Sequence, residues 1–166
     1  QTHFDDEETP VDETLEAYAK LIGDGKVRAI GASNMTPARL KASLAASKSG
    51  GLPRYESLQP LYNLSDRKEF ETEYAPIVRA EGLGVINYYA LAAGFLTGKY
   101  RSPDEALKHP GRGGRLKRYA DARGFAILKA LDAVAARHQA TLAQVALAWL
   151  MGQPLITAPI ASATSL

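Results

Sequence analysis

A parallel (β/α)8 TIM barrel, present as its C-terminal half, is the fold class this chain predicts, and three observations carry it. Four short β-rich apolar runs, Val27–Ser33, Tyr55–Leu61, Leu83–Tyr88 and Leu155–Ile160, alternate with helical patterns, which is how βαβ crossovers and a parallel sheet read in sequence. No G-x-G-x-x-G motif follows the first run, which argues against the rival arrangement, a doubly wound dinucleotide-binding sheet. Each run ends in polar or aromatic side chains, where a barrel places its working groups. A complete barrel takes about 250 residues. The 166 residues here, with four strands and the tail of another at the N-terminus, are read as half of one such domain.

The elements follow in order. Thr9-Pro10 supplies an N-cap and a proline at the first helical position, after which Leu15, Tyr18, Ala19 and Ile22 recur at helical spacing and Gly23 and Gly25 stop the helix. Thr36-Pro37 repeats the start signal, with Leu40 and Leu44 on the buried face and Gly50-Gly51 at the end. Phe70, Tyr74, Ile77 and Val78 mark a third helix, whose Pro76 should kink it or delay its start. Ala122–Ala136 and Leu142–Leu150 are the last two helices, and the near-continuous apolar character of the second predicts deep burial.

Composition excludes several classes. The hydrophobic share of 46% and charged share of 23% are those of a globular domain rather than a disordered chain. A net charge of +2 is too small to argue for nucleic acid or an anionic membrane as partner. The absence of cysteine removes disulfides, thiolate metal sites and cysteine nucleophiles, and fits a reducing, cytoplasmic setting. No apolar run is long enough to span a bilayer and no signal peptide is seen. The chain begins at Gln1 rather than Met and stops at Leu166 with no helix after the last run, so both ends are expected to be cut. Unpaired sheet edges would then favour self-association, as a homo-oligomer or otherwise.

The strand ends carry the chemistry. The first run ends at Ser33-Asn34, the second carries Gln59, the third ends at Tyr88-Tyr89, the last leads to Ser162 and Thr164, and the N-terminal tail presents His3. Ser, Asn and Gln offer the donors and acceptors that grip a carboxamide, and a tyrosine ring can stack on a flat heteroaromatic. Taken singly, such residues are more often turn or helix caps. Together they suit a nicotinamide ring without naming the ligand.

The segments Gln1–Asp5 (QTHFD), Val27–Asn34 (VRAIGASN), Leu58–Leu64 (LQPLYNL), Gly84–Tyr100 (GVINYYALAAGFLTGKY) and Ala143–Leu150 (AQVALAWL) resemble the aldo/keto reductase family in order and spacing, from one end of the chain to the other. The resemblance implies reduction of an aldehyde or ketone substrate to an alcohol by NADPH, with no metal. It implies that Ser33, Asn34 and Gln59 hold the nicotinamide carboxamide and that Tyr88 stacks on the ring. Tyr89, Leu91, Ala92 and Gly94 would line the pyrophosphate path, with Lys99 near that charge, and Ser162, Ala163 and Thr164 would begin the loop that holds the adenosine 2′-phosphate. Gly94 has a physical reason to be glycine, since backbone must approach phosphate closely. His3 would help polarise the substrate carbonyl beside a Tyr proton donor tuned by a Lys and an Asp, a set that falls upstream of Gln1. Tyr89-Ala90 stands where many relatives carry Ser-Pro. A cofactor-binding regulatory subunit, similar to the potassium-channel β subunits, is the alternative on the same fold.

Two further features invite other readings. Gly111–Arg118 (GRGGRLKR) looks like a basic nucleic-acid segment, but it is brief and lacks interleaved aromatics apart from Tyr119. It is expected to be a solvated loop, with a flap over the cofactor phosphates as the alternative. The acidic run Asp5–Glu8 is consecutive and precedes a helix, so it is expected to face the helix dipole rather than a metal. His109 and His138 are expected at the surface.

Overall fold

The computed structural model describes residues 1–108 and 113–162. They form an α/β protein in two compact units, one of residues 1–60 and 69–86, the other of residues 61–68 and from 87 onward.

The first unit holds the sheet. β1 (Ile30–Ser33), β2 (Tyr55–Gln59) and β3 (Gly84–Val85) are parallel and lie in the order β1-β2-β3. Thr2 bridges the other flank of β1, donating its N–H to the Gly31 carbonyl and accepting that of Ser33, both at 2.9 Å. Neighbours in sequence are thus neighbours in the sheet. The described strands show no reversal of order, the point at which a doubly wound sheet places its ligand. The strands are shorter than their apolar runs. The Val27 N–H turns back to Leu21 and that of Leu83 to Val78, so both residues finish the preceding helices instead of opening strands.

Helices fill the crossovers. In α1 (Val11–Gly23) the residue before the first turn is Pro10, and no side chain caps it. The expected Thr9 cap is therefore corrected: Thr9 Oγ1 donates to Asp6 Oδ2 at 2.8 Å. The acidic run also does something other than face a dipole. Asp5 accepts a two-pronged ion pair from Arg39 at 2.8 and 3.0 Å, and the first-turn acids of α1 are Asp12 and Glu13. In α2 (Pro37–Gly50), Thr36 accepts the Arg39 N–H, Pro37 begins the helix, and Gly51 ends it in the left-handed region, all as the start and stop signals require. Pro76 delays the third helix by way of a π turn, Phe70–Tyr74, after which α3 (Ala75–Glu81) runs as an ordinary helix. A wider turn absorbs the hydrogen bond that a proline cannot donate.

The second unit is helical. A tight turn at Ala92–Thr97 leads to the short helices α4 (Pro103–Leu107) and α5 (Gly113–Leu116), then to α6 (Ala122–His138) and α7 (Leu142–Met151). Asp121 caps α6, and Thr141 with Gln144 forms a reciprocal capping box on α7. The core is Phe95, Leu96, Leu116, Tyr119, Leu128 and Leu131 with their neighbours.

Two expectations fail here. Leu155–Ile160 forms no strand: the Ile156 N–H returns to Gln153, Pro159 has none to give, and the Ile160 N–H reaches the Asn87 carbonyl at 3.0 Å. Nor is α7 deeply buried. Of its residues only Ala146 and Leu150 are buried, Met151 is 68% exposed, and Val145, Ala148 and Trp149 line an apolar groove shared with α6. A helix that is apolar all round needs cover on every face, and among the described residues α7 has it on one. No described helix is long and apolar enough to cross a membrane.

Candidate functional site

Each unit gathers part of the residue set that the sequence singles out. In the first, the strand register sets Ser33 opposite Gln59, and Ser33 Oγ donates to the Gln59 carbonyl at 2.9 Å across the strand ends. Ser33 is buried and Gln59 partly so. Asn34 follows with φ of 47°, a left-handed conformation that asparagine tolerates better than most residues. Its Nδ2 donates to the His3 carbonyl at 2.8 Å and to Ser33 Oγ at 3.2 Å. The sheet thus ties the backbone of His3 to the ends of β1 and β2. The His3 imidazole is exposed and lies against Phe4, ring centres 4.3 Å apart.

The second unit holds a cleft of about 510 Å³ lined by Tyr88, Tyr89, Leu91, Gly94, Lys99 and Ser162, together with Ala90, Ala93, Thr97, Arg115, Ile160 and Ala161. Six of the expected cofactor residues therefore share one surface. Ala92 does not. Its side chain is fully buried in the core, and Ala93 takes its place on the wall. Ala163 and Thr164 lie outside the described residues.

The backbone of this wall is unusual. Tyr89, Ala92, Ala93 and Gly94 all have positive φ, of 54°, 51°, 56° and 93°. Only Gly94 adopts such a conformation without steric cost, and the cost to the others, of order 1–3 kcal/mol each, is met by surrounding structure. Part of that structure is Asn63, which is fully buried and donates its Nδ2 to the Tyr89 carbonyl at 3.0 Å. The Ala92 and Gly94 N–H groups close the turn onto the Tyr89 and Leu91 carbonyls, so the positive charge of the wall comes from two side chains, Lys99 and Arg115. Tyr88 and Tyr89 meet edge to face at 5.4 Å.

The basic segment is more ordered than a solvated loop in its second half. Arg115 and Leu116 lie in α5, Leu116 and Tyr119 are buried, and Arg118 and Tyr119 both bond to Asp66. Residues 109–112, with His109 among them, lie outside the described residues. His138 is exposed on α6, as expected. Among the described residues no group of three metal-ligating side chains could hold a metal ion.

Sequence reading passed over Ala93, Thr97 and Arg115 on the cleft wall, and over Asn63 and Asp66 behind it. Arg115 was visible only as one of a run of basic residues. The YNLSD segment gave one signal, an Asn-x-x-Asp spacing typical of a turn.

Tyr119 has a pH consequence. Burial first, and then the hydrogen bond and negative charge of Asp66, push its phenol well above the usual tyrosine value. Tyr55 is raised as well, by burial, with the Thr2 hydrogen bond opposing. A raised value means that the folded chain keeps protons the unfolded chain releases. Stability is then complete below the ordinary tyrosine value near 10 and falls as pH rises past it. Thermal melts are expected to be level up to about pH 9.5 and to decline above it, with a shallower decline in Tyr119→Phe. An alkaline slope identical in the two proteins contradicts this account of Tyr119.

The parallel sheet makes this an α/β protein, and known proteins place it more closely. Residues 1–166 match the family model described as Aldo/keto reductase family. The chain is 33% identical over 157 residues to Protein tas of Escherichia coli K12, covering 93% of this chain and 44% of that protein. It is 30% identical over 169 residues to L-glyceraldehyde 3-phosphate reductase of the same organism, covering 98% and 48%. It is 38% identical over 108 residues to human aflatoxin B1 aldehyde reductase member 2, covering 65% and 30%. The chain belongs to the aldo/keto reductase family. It spans about half the length of the first two of these relatives.

Proposed function

We propose that this chain is the C-terminal part of a (β/α)8-barrel oxidoreductase that reduces aldehydes or ketones to alcohols with NADP(H). The observation that carries the reading is the cleft of the second unit, where the left-handed residues Tyr89, Ala93 and Gly94 lie on the same wall as Lys99 and Arg115. Those groups fit a dinucleotide diphosphate: a glycine where backbone must come close, and two cations to offset the charge. Two of the relatives carry names that make them reductases of aldehydes, which favours a carbonyl substrate. The sequential order of β1, β2 and β3 supports the barrel.

When bound, the nicotinamide supplies the hydride. The chain's own residues bind and orient. By the family resemblance, Tyr88 of the second unit would offer a ring face to a nicotinamide, and Ser33, Asn34 and Gln59 of the first unit would be the carboxamide partners. Lys99 and Arg115 would hold the diphosphate, and Ser162, on the same wall, would lie toward the adenosine end. His3 would present its imidazole to the substrate oxygen, and Asn34 holds the His3 backbone carbonyl beside the end of β1.

The test is loss of NADPH absorbance with a simple aldehyde such as 4-nitrobenzaldehyde, using the full-length protein. Steady turnover is expected. Tyr88→Ala should weaken NADPH binding by roughly 1–2 kcal/mol, the worth of an aromatic stacking partner with its burial. His3→Ala should lower the rate while leaving NADPH affinity nearly intact. Tight NADPH binding without turnover would favour a regulatory cofactor-binding subunit instead. Unchanged affinity in Tyr88→Ala would contradict the stacking role.

A further inference from the structure

The turn Asn63–Asp66 carries none of the ligand-facing groups, yet it is bonded both to Tyr89 on the cleft wall and to Arg118 and Tyr119, which follow the wall residue Arg115 in sequence. Asn63 organises the turn, its Oδ1 accepting the N–H groups of Ser65 at 2.8 Å and Asp66 at 2.9 Å. Its Nδ2 donates to Asp66 Oδ2 at 3.1 Å and to the carbonyl of the left-handed Tyr89 at 3.0 Å. The Asp66 carboxylate faces the other way. Oδ2 accepts the Tyr119 hydroxyl at 2.6 Å, and Oδ1 accepts Arg118 Nη2 at 2.7 Å. Its side chain is 18% exposed; the bond to Tyr119 is partly buried, while that to Arg118 faces water.

We propose that Asp66 is a positioning residue that clasps the segment from α5 to Tyr119 and so holds Arg115 on the cleft wall, where it meets the diphosphate of a dinucleotide. The ligand named here rests on the function proposed above. A four-residue helix such as α5 cannot persist by its own hydrogen bonds. What fixes it is its C-terminal side: Leu116 and Tyr119 are buried to within 1% of full burial, and the two bonds to Asp66 close the segment behind them. Arg115 immediately precedes Leu116, so its place on the wall is set by how that segment is anchored. Asn63 joins this anchor to the Tyr89 backbone, and one turn thereby sets both the strained backbone and the cation that share the wall.

The experiment uses the full-length protein with NADPH as the probe, read by calorimetry, beside limited trypsin digestion scored at Arg115, Lys117 and Arg118. Asp66→Ala is expected to raise the Kd for NADPH about tenfold, as loss of a charge-assisted contact should, and to speed cleavage at those three sites. Arg115→Ala should raise the Kd by a similar factor without speeding cleavage at the other two. The double variant should bind no more weakly than Arg115→Ala alone, because Asp66 acts through Arg115. Asp66→Asn, which keeps an acceptor for the Tyr119 hydroxyl, should restore much of the loss. Tyr119→Phe removes one bond at nearly constant volume and should give an intermediate loss, which keeps the test open if Asp66→Ala folds poorly.

Unchanged NADPH affinity in both Asp66→Ala and Tyr119→Phe would overturn the proposal, as would losses that add in the double variant. Trypsin cleavage at the wild-type rate in Asp66→Ala would overturn the clasp even where NADPH binds normally. A wild-type protein that bound no NADPH would overturn the dinucleotide reading and the ligand role of Arg115 with it, and the trypsin rates would then show that failure apart from a failure of the clasp.

Discussion

Gly124→Ala is expected to cost the second unit about 3 kcal/mol or more, at or beyond the upper end for an overpacked core. Gly124 sits in the first turn of α6, where its N–H is taken by Asp121 Oδ1 at 2.7 Å. A Cβ at that position would overlap the carbonyl oxygen of Tyr119, and the Phe95 ring stands at 3.1 Å on another side. The obstacle is backbone, and it is pinned. The Tyr119 N–H bonds to Leu116 at 2.9 Å, its hydroxyl bonds to Asp66, and its ring stacks on Phe95 at 6.1 Å between centres. Relief therefore requires α6 or the whole Tyr119 segment to move. For a unit of this size each kcal/mol lowers Tm by about 4–8 °C, so a drop of more than 10 °C is expected in a thermal melt, together with faster trypsin cleavage at Arg118. Gly23→Ala is the control, since nothing lies within 4 Å of a Cβ there. Equal Tm values for Gly124→Ala and wild type would contradict the packing described for this corner.

The second large effect is on ligand affinity. Replacing both Lys99 and Arg115 with alanine is expected to weaken NADPH binding about a hundredfold, with each charge-assisted contact worth about tenfold. Both side chains are exposed, so the proposed attraction for a diphosphate would be screened by salt. The gap between wild type and variant should narrow as ionic strength rises past about 0.15 M. Lys99 also lies over the Tyr100 ring at 5.1 Å, which fixes its stem on the wall. A double variant that bound NADPH as tightly as wild type at low salt would show that the cleft serves some other ligand.

How much of this was legible in the sequence differs by element. Helix starts written in side chains, as at Thr36-Pro37, are read from local chemistry alone, and α2 begins and ends as expected. Thr9-Pro10 carries the same letters and fails, because Asp6 offers the Thr9 hydroxyl a partner three residues away. Short β-rich apolar runs located β1, β2 and β3 but overstated their lengths, since flanking residues such as Val27 and Leu83 spend their N–H groups on helix ends. The run Leu155–Ile160 is apolar without being a strand. A pattern cannot show where ladder partners are, and Pro154 and Pro159 remove two donors.

At the site, the residues with distinctive side chains were legible and the backbone was not. Tyr88, Tyr89, Gly94 and Lys99 are on the cleft wall as expected. Ala92 and Ala93 are the same residue type side by side, and only the left-handed turn decides which one is buried and which lines the cleft. Asp66 and Tyr119 are 53 residues apart, and nothing in either neighbourhood points to the other.

The central claim is that the cleft of the second unit takes the diphosphate of NADP(H), and calorimetric titration of NADPH into the full-length protein tests it most directly. The account predicts saturable binding of one NADPH per chain, weakened about a hundredfold in the Lys99/Arg115 double alanine variant. Absence of binding by the wild-type protein, or binding equally tight in the double variant, would contradict it.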